Sequence, residues 1–256
     1  MDRREFLKKA GLGAAVLGMG ACAPRVLKDE DDKSETVPDG KVVSHYDGVG
    51  LLGYGCMRWP VVKGEAGRSH IDQDEVNALV DYALEHGVNY FDTSPVYLEG
   101  DSERATAQAL NWHPRSEWLL ATKLSNFSDF SYDNSVKMYR KSLEIFNTDH
   151  VDYYLLHALS GGDDFRRRFG DTGIMDFLLK ERDAGHIHNL GFSFHGPESG
   201  FNELMALHEK YHWDFVQIQM NYVDWTHAGK GNASAKFLYN ELDSREIPII
   251  IMEPLR

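Results

Sequence analysis

The chain has 256 residues, 42% of them apolar, and carries 40 acidic against 27 basic side chains for a formal charge of −13. That length suits one large α/β domain or two small ones, and the composition is ordinary for a soluble globular protein. The acidic balance excludes nucleic acid as a partner.

The first residues read "RREFLKKAGLGAAVLGMGAC". Arg3, Arg4, Phe6, Leu7 and Lys8 are similar to the "RRxFLK" pattern of twin-arginine export signals, and the apolar run from Ala10 to Ala21 is too short and glycine-rich for a permanent span. Residues 1–22 are therefore expected to be a signal peptide; lipid attachment at Cys22 and its absence both stay open, since Met19 departs from the usual leucine of such boxes. The expected partner is the twin-arginine export machinery, and the expected location is the periplasm or the membrane face turned toward it. Any membrane contact would run through that lipid anchor. Residues 23–40, of which 28–40 read "KDEDDKSETVPDG", have no apolar periodicity and read as a charged linker. The folded part is expected to begin near Lys41. Once Cys22 is assigned to the signal, Cys56 is the single remaining cysteine and no intrachain disulfide can form.

Seven short apolar runs follow: "GLLGYG" at 50–55, "VNYFD" at 88–92, "WLLATK" at 118–123, "VDYYLLH" at 151–157, "LGFSF" at 190–194, "FVQIQM" at 215–220 and "PIIIME" at 248–253. Each reads as a strand covered by helices on both faces. Between them lie stripes at helical spacing: Val76, Leu79, Val80, Ala83 and Leu84; then Val136, Tyr139, Leu143 and Phe146; then Ile174, Phe177 and Leu178. Asp72, Asp101 and Asp133 stand near expected helix starts. Alternating strands and helices leave an open doubly wound sheet or a closed (β/α)8 barrel of the TIM type. Neither "GxGxxG" nor "GxxxxGK[ST]" occurs, so the usual phosphate loops of open sheets are missing and the barrel is favoured. A closed barrel needs an eighth strand, so the expected fold over 41–256 is a barrel incomplete at its C-terminal end.

Chemistry in such a barrel gathers at the C-terminal ends of the strands. Asp92, Lys123 and His157 end three successive runs there, and Tyr97 follows Asp92 in "FDTSPVY". A phenol of pKa about 10 is a sluggish acid near neutrality, and an ammonium beside it favours the phenolate. Asp92 would keep Lys123 charged and aimed, Tyr97 would give the proton, and His157 would donate to the same substrate oxygen.

At these residues the chain resembles the aldo-keto reductase superfamily, over roughly 45–256. "GLLGYGCMRWP", "NYFDTSPVYLEGDSERATAQAL", "WLLATKL", "SLEIFNTDHVDYYLLH" and "GHIHNLGFS" resemble its successive motifs in order. The resemblance implies a nicotinamide cofactor, usually NADP(H) and alternatively NAD, and hydride transfer to an aldehyde or ketone. It implies Asp92, Tyr97, Lys123 and His157 as the catalytic set. It also implies Ser193 and Gln217 on the nicotinamide carboxamide, and Cys56, Met57, Met252 and Leu255 elsewhere against the cofactor. Phe194 stands where many relatives have asparagine, and Met252 where many place a tyrosine. "MEPLR" resembles a branch in which a cysteine-rich iron–sulfur segment follows the barrel; such a cluster would belong to a segment not in this sequence. The alternative is a nicotinamide-binding sensor or structural barrel with little or no turnover.

Twelve histidines raise the question of metal. The pairs His186/His188 and His208/His212 show no third ligand in sequence and there is no "HExxH", so no metal site is expected. Tyr222, Trp225 and Trp59 either line a substrate mouth or close a core.

Overall fold

The computed structural model describes residues 48–64 and 69–255. The expected signal peptide, Cys22, the linker and the start of the fold at Lys41 lie outside the described residues.

Seven strands hydrogen-bond in chain order: β1 (Gly53–Gly55), β4 (Tyr90–Asp92), β5 (Leu119–Leu124), β6 (Val151–Leu159), β7 (Ile187–Phe194), β8 (Phe215–Gln219) and β9 (Ile249–Met252). Each of the seven falls within or across one of the expected apolar runs. The registers of β1 with β4, β4 with β5, β7 with β8 and β8 with β9 are parallel. Parallel neighbours require a crossover, and helices supply it. This α/β order matches the expected barrel through seven of its eight strands. The expectation that every strand is covered on both faces holds for β5 and largely for β8, but β1 is mostly exposed and β9 only partly buried. Among the described residues these are the terminal strands of the ladder, each with a neighbour on one side only. Sequence periodicity did not reveal the two-stranded antiparallel ribbon β2 (Val61–Lys63) and β3 (Ser69–Ile71), whose strands are exposed and too short to show a pattern.

The described chain divides into two compact units, 48–155 with 180–188, and 156–179 with 189–255. In the first, α1 (Gln73–Glu85) is capped by the Asp72 carboxylate, which accepts from the Glu75 N–H at 3.2 Å. Helix α2 (Ser102–Leu110) starts after Asp101, whose carboxylate pairs with Arg104 at 2.8 Å instead of capping. The cap of α3 (Tyr132–Phe146) is Ser131, and the expected Asp133 lies inside the first turn. Trp59 is buried, stacks on Tyr54 at 4.9 Å and donates to the Thr106 hydroxyl at 2.8 Å, so it closes the core.

In the second unit, Phe165, Phe192, Tyr211 and Trp213 form one aromatic cluster, with ring centroids 5.3 Å apart for Phe165 and Tyr211 and for Phe192 and Trp213. Strands β7 and β8 approach closely at Gly191, which faces Phe215 in register; a Cβ at Gly191 would run into the Phe215 carbonyl.

Candidate active site

In the first unit, sheet register assembles three of the expected residues. Asp92 ends β4 opposite Ala121 of β5. Side chains two apart on a strand share a face, so Lys123 lies on the face of Ala121, one step beyond the carboxylate. The Lys123 ammonium is buried, donates to Asp92 Oδ1 at 2.5 Å and to the Thr93 carbonyl at 2.8 Å, and lies 4.9 Å from the centre of the Tyr97 ring. A hydrogen bond also joins it to the Tyr97 side chain.

Tyr97 reaches this position through a strained turn. The Tyr97 N–H bonds back to the Ser94 carbonyl at 3.2 Å, and Leu98 and Glu99 adopt left-handed φ values of 51° and 57° before Gly100 at 97°. Two consecutive non-glycine residues in that region cost about 1–3 kcal/mol each. Below the turn, Ser94 and Ser125 share a hydrogen bond of 2.8 Å and Thr93 and Ser102 one of 2.9 Å.

The electrostatics differ from the expectation in one respect. Burial pushes the Tyr97 phenol above the ordinary tyrosine value; the Lys123 charge draws it down, Asp92 drives it up again, and the net direction is upward. Lys123 therefore leaves the resting phenol protonated. For Lys123, burial alone would favour the neutral amine, but the charges of Asp92 and Tyr97 and hydrogen bonds to both carry it above the ordinary lysine value. The Asp92 carboxylate thus pairs with the ammonium and favours its charged form.

The Cys56 thiol is wholly buried, and burial raises its pKa far above the usual range, which rules it out as a nucleophile. Its carbonyl accepts from the Ser102 hydroxyl at 2.8 Å, and the side chains of this turn open to a ligand are the exposed Met57 and Arg58.

Glu103, which the sequence reading passed over, is buried in α2 and accepts from Thr122 of β5 at 2.5 Å and Ser142 of α3 at 2.8 Å. The one signal was an acid within the small-residue run "SERATAQAL". Burial pushes its carboxyl up despite both hydroxyls. An unfolded chain ionises this group at the ordinary value, so its contribution to stability is fully present below about pH 4.5 and is lost as pH rises through the folded value. Glu103→Gln keeps an accepting oxygen and removes that slope. Urea midpoints are therefore expected to rise for the variant relative to the parent between pH 4 and pH 7, and parallel pH curves would contradict this.

In the second unit, His157 lies in β6, its carbonyl accepting from Arg168 at 2.8 Å. The next residue, Ala158, is left-handed at φ 53°, and its N–H donates to the Ser193 hydroxyl at 2.7 Å. Ser193 faces Gln217 in register, and both are buried. Gln217 faces Ile250, and Met252 lies two residues further on the same face of β9. The structure thus brings Ser193, Gln217 and Met252 onto one sheet face, whereas Leu255 is 97% exposed beyond the end of β9. Trp225 packs near Tyr239 at 6.1 Å, and Tyr222 is exposed.

Residues 51–256 match the aldo/keto reductase family. A probable aldo-keto reductase of Glycine max is 24% identical over 186 residues, 70% of this chain and 49% of that protein. The methylglyoxal reductase DkgB of Salmonella typhi is 32% identical over 129 residues, 50% of this chain and 45% of that protein. The chain therefore spans about half the length of these curated relatives. Among solved structures, an aldo-keto reductase of Klebsiella pneumoniae in complex with NADPH aligns at a TM-score of 0.60 with 19% identity, over 84% of this chain and 67% of that one. The order of the strands, the joined Asp92, Lys123 and Tyr97, and the extent of the family match lead to one assignment: this chain belongs to the aldo/keto reductase family.

Proposed function

We propose that the chain reduces the carbonyl of an aldehyde or ketone with hydride from NADPH, Tyr97 giving the proton. The observation that carries this reading is the buried Lys123 ammonium, fixed by Asp92 and Thr93 and held against Tyr97. The relatives' names, a methylglyoxal reductase and a reductase complexed with NADPH, support the reaction class and the cofactor.

The residues of the second unit fit a nicotinamide carboxamide. Ser193 and Gln217 stand side by side with hydrogen-bonding side chains, and the Met252 thioether on the same sheet face can pack on a ring. When bound, the cofactor supplies the hydride that becomes the new C–H bond. The Tyr97 hydroxyl gives its proton to the carbonyl oxygen, Lys123 stabilises the resulting phenolate, and solvent returns the proton.

The test is isotopic. NADPH deuterated at the transferable position of its ring is incubated with the protein and a panel of aldehydes, and the alcohols are weighed by mass spectrometry. One deuterium on the carbinol carbon is expected. NADPH that binds tightly while no substrate acquires deuterium would replace this reading with a binding-only one.

A further inference from the structure

Chain topology gathers His150, Asp152 and His188 from the N-terminal ends of two strands: His150 directly precedes β6, Asp152 is its second residue and His188 is the second residue of β7. One donor atom from each lies within 4.8 Å of the others. His188 Nδ1 stands 3.3 Å from Asp152 Oδ1, and His150 Nε2 stands 3.9 Å from the same oxygen. Donors at about 2.0–2.1 Å from a tetrahedral zinc ion stand about 3.3 Å apart. One of the three donor pairs already has that spacing, a shift of about 0.6 Å closes the second, and the two imidazole donors start within 4.8 Å of each other.

Two further features favour a metal over a plain hydrogen-bonded cluster. The first is the support of the imidazole. His150 Nδ1 meets the Asp149 carboxylate at 2.7 Å; with the ring proton on that nitrogen, Nε2 faces Asp152 as a lone pair. A carboxylate behind the second ring nitrogen is the usual outer partner of a metal-bound histidine. The second is the fixing of the acid. Asp152 Oδ2 accepts from Arg115 at 2.5 Å and from the Leu120 N–H at 2.8 Å, so the buried carboxylate cannot rotate and Oδ1 is presented to both imidazoles. Asp149 and Asp152 together outweigh the single charge of Arg115. The rings of His150 and His188 already lie stacked at 4.5 Å, so they are largely ordered before any ion arrives.

From this arrangement we infer that His150, Asp152 and His188 bind a first-row divalent metal ion of the zinc type, which clips the start of β6 to the start of β7. Two imidazoles and one carboxylate suit zinc and its neighbours over magnesium or calcium, which prefer oxygen. Half-exposed His188 gives the ion an entry path, and water completes the fourth position. The third ligand escapes a sequence reading because Asp152 is 36 residues before His188 and lies within an apolar strand motif.

The probe is cobalt(II), whose visible bands are intense in tetrahedral sites, titrated into the full chain and then displaced by zinc. One equivalent with tetrahedral bands is expected, together with a rise in melting temperature. His150→Ala and His188→Ala, checked for folding by near-ultraviolet circular dichroism, are each expected to lose the bands. Asp149→Asn is expected to weaken binding about 10–100-fold while leaving the stoichiometry at one. His208→Ala is expected to change nothing. A folded parent chain that shows no tetrahedral bands, or bands that persist in both folded alanine variants, would overturn the assignment.

Discussion

Tyr97→Phe is expected to lower the turnover number for carbonyl reduction by about 10²–10⁴-fold while leaving NADPH affinity unchanged. The substitution keeps the ring that lies 4.9 Å from the Lys123 ammonium and removes only the hydroxyl, so packing and the cation's seat are preserved. Lys123→Met provides the complementary case. A unit charge within hydrogen-bonding reach of the phenolate oxygen, about 3 Å away, is worth about 5 kcal/mol at an effective dielectric of about 20; Asp92 cancels part of it, which leaves a loss of about a hundredfold or more in rate. Because burial holds the phenol above the ordinary tyrosine value, the donor stays protonated across the neutral range. The rate limited by that donor is expected to fall only above about pH 10. Stopped-flow cofactor oxidation as a function of pH, alongside cofactor titration by fluorescence, separates these effects. Tyr97→Phe turning over at the parent rate would remove the phenol from the mechanism.

Trp213→Ala is expected to destabilise the second unit by about 3–5 kcal/mol, the range for deleting a fully buried aromatic side chain. Trp213 is 2% exposed, meets Phe192 edge to face at 79°, packs against Tyr211 at 5.4 Å and donates its ring N–H to the Leu204 carbonyl at 3.4 Å. Truncation leaves a cavity among rigid rings, and the Leu204 carbonyl loses one of its donors while keeping the Leu207 N–H at 3.1 Å, so the cavity dominates the cost. Chemical denaturation monitored by fluorescence and circular dichroism gives the loss directly. A change below about 1 kcal/mol would mean that the cluster collapses into the space.

The strands were legible because buried parallel strands write continuous apolar runs, and Asp92 and Lys123 were legible because polar groups interrupt such runs at their ends. Tyr97 was placed by its motif, but its direction of pKa shift was not, since the balance between burial, Lys123 and Asp92 depends on depth that no spacing records. Glu103 was missed for the same reason: "SERATAQAL" shows an acid on a helix without showing that β5 and α3 enclose it. The ribbon of β2 and β3 leaves no periodic trace at three residues per strand. Asp152 was hidden inside a strand motif whose histidine partner comes from the next strand of the ladder.

One lone pair of the Ser193 hydroxyl is already engaged by the amide of Ala158. That hydroxyl keeps its hydrogen to donate to a molecule settling over β7, while one of its two acceptor sites is taken by the main chain. Preference for the oxygen end of an amide group would then be set by a main-chain N–H that never touches the guest.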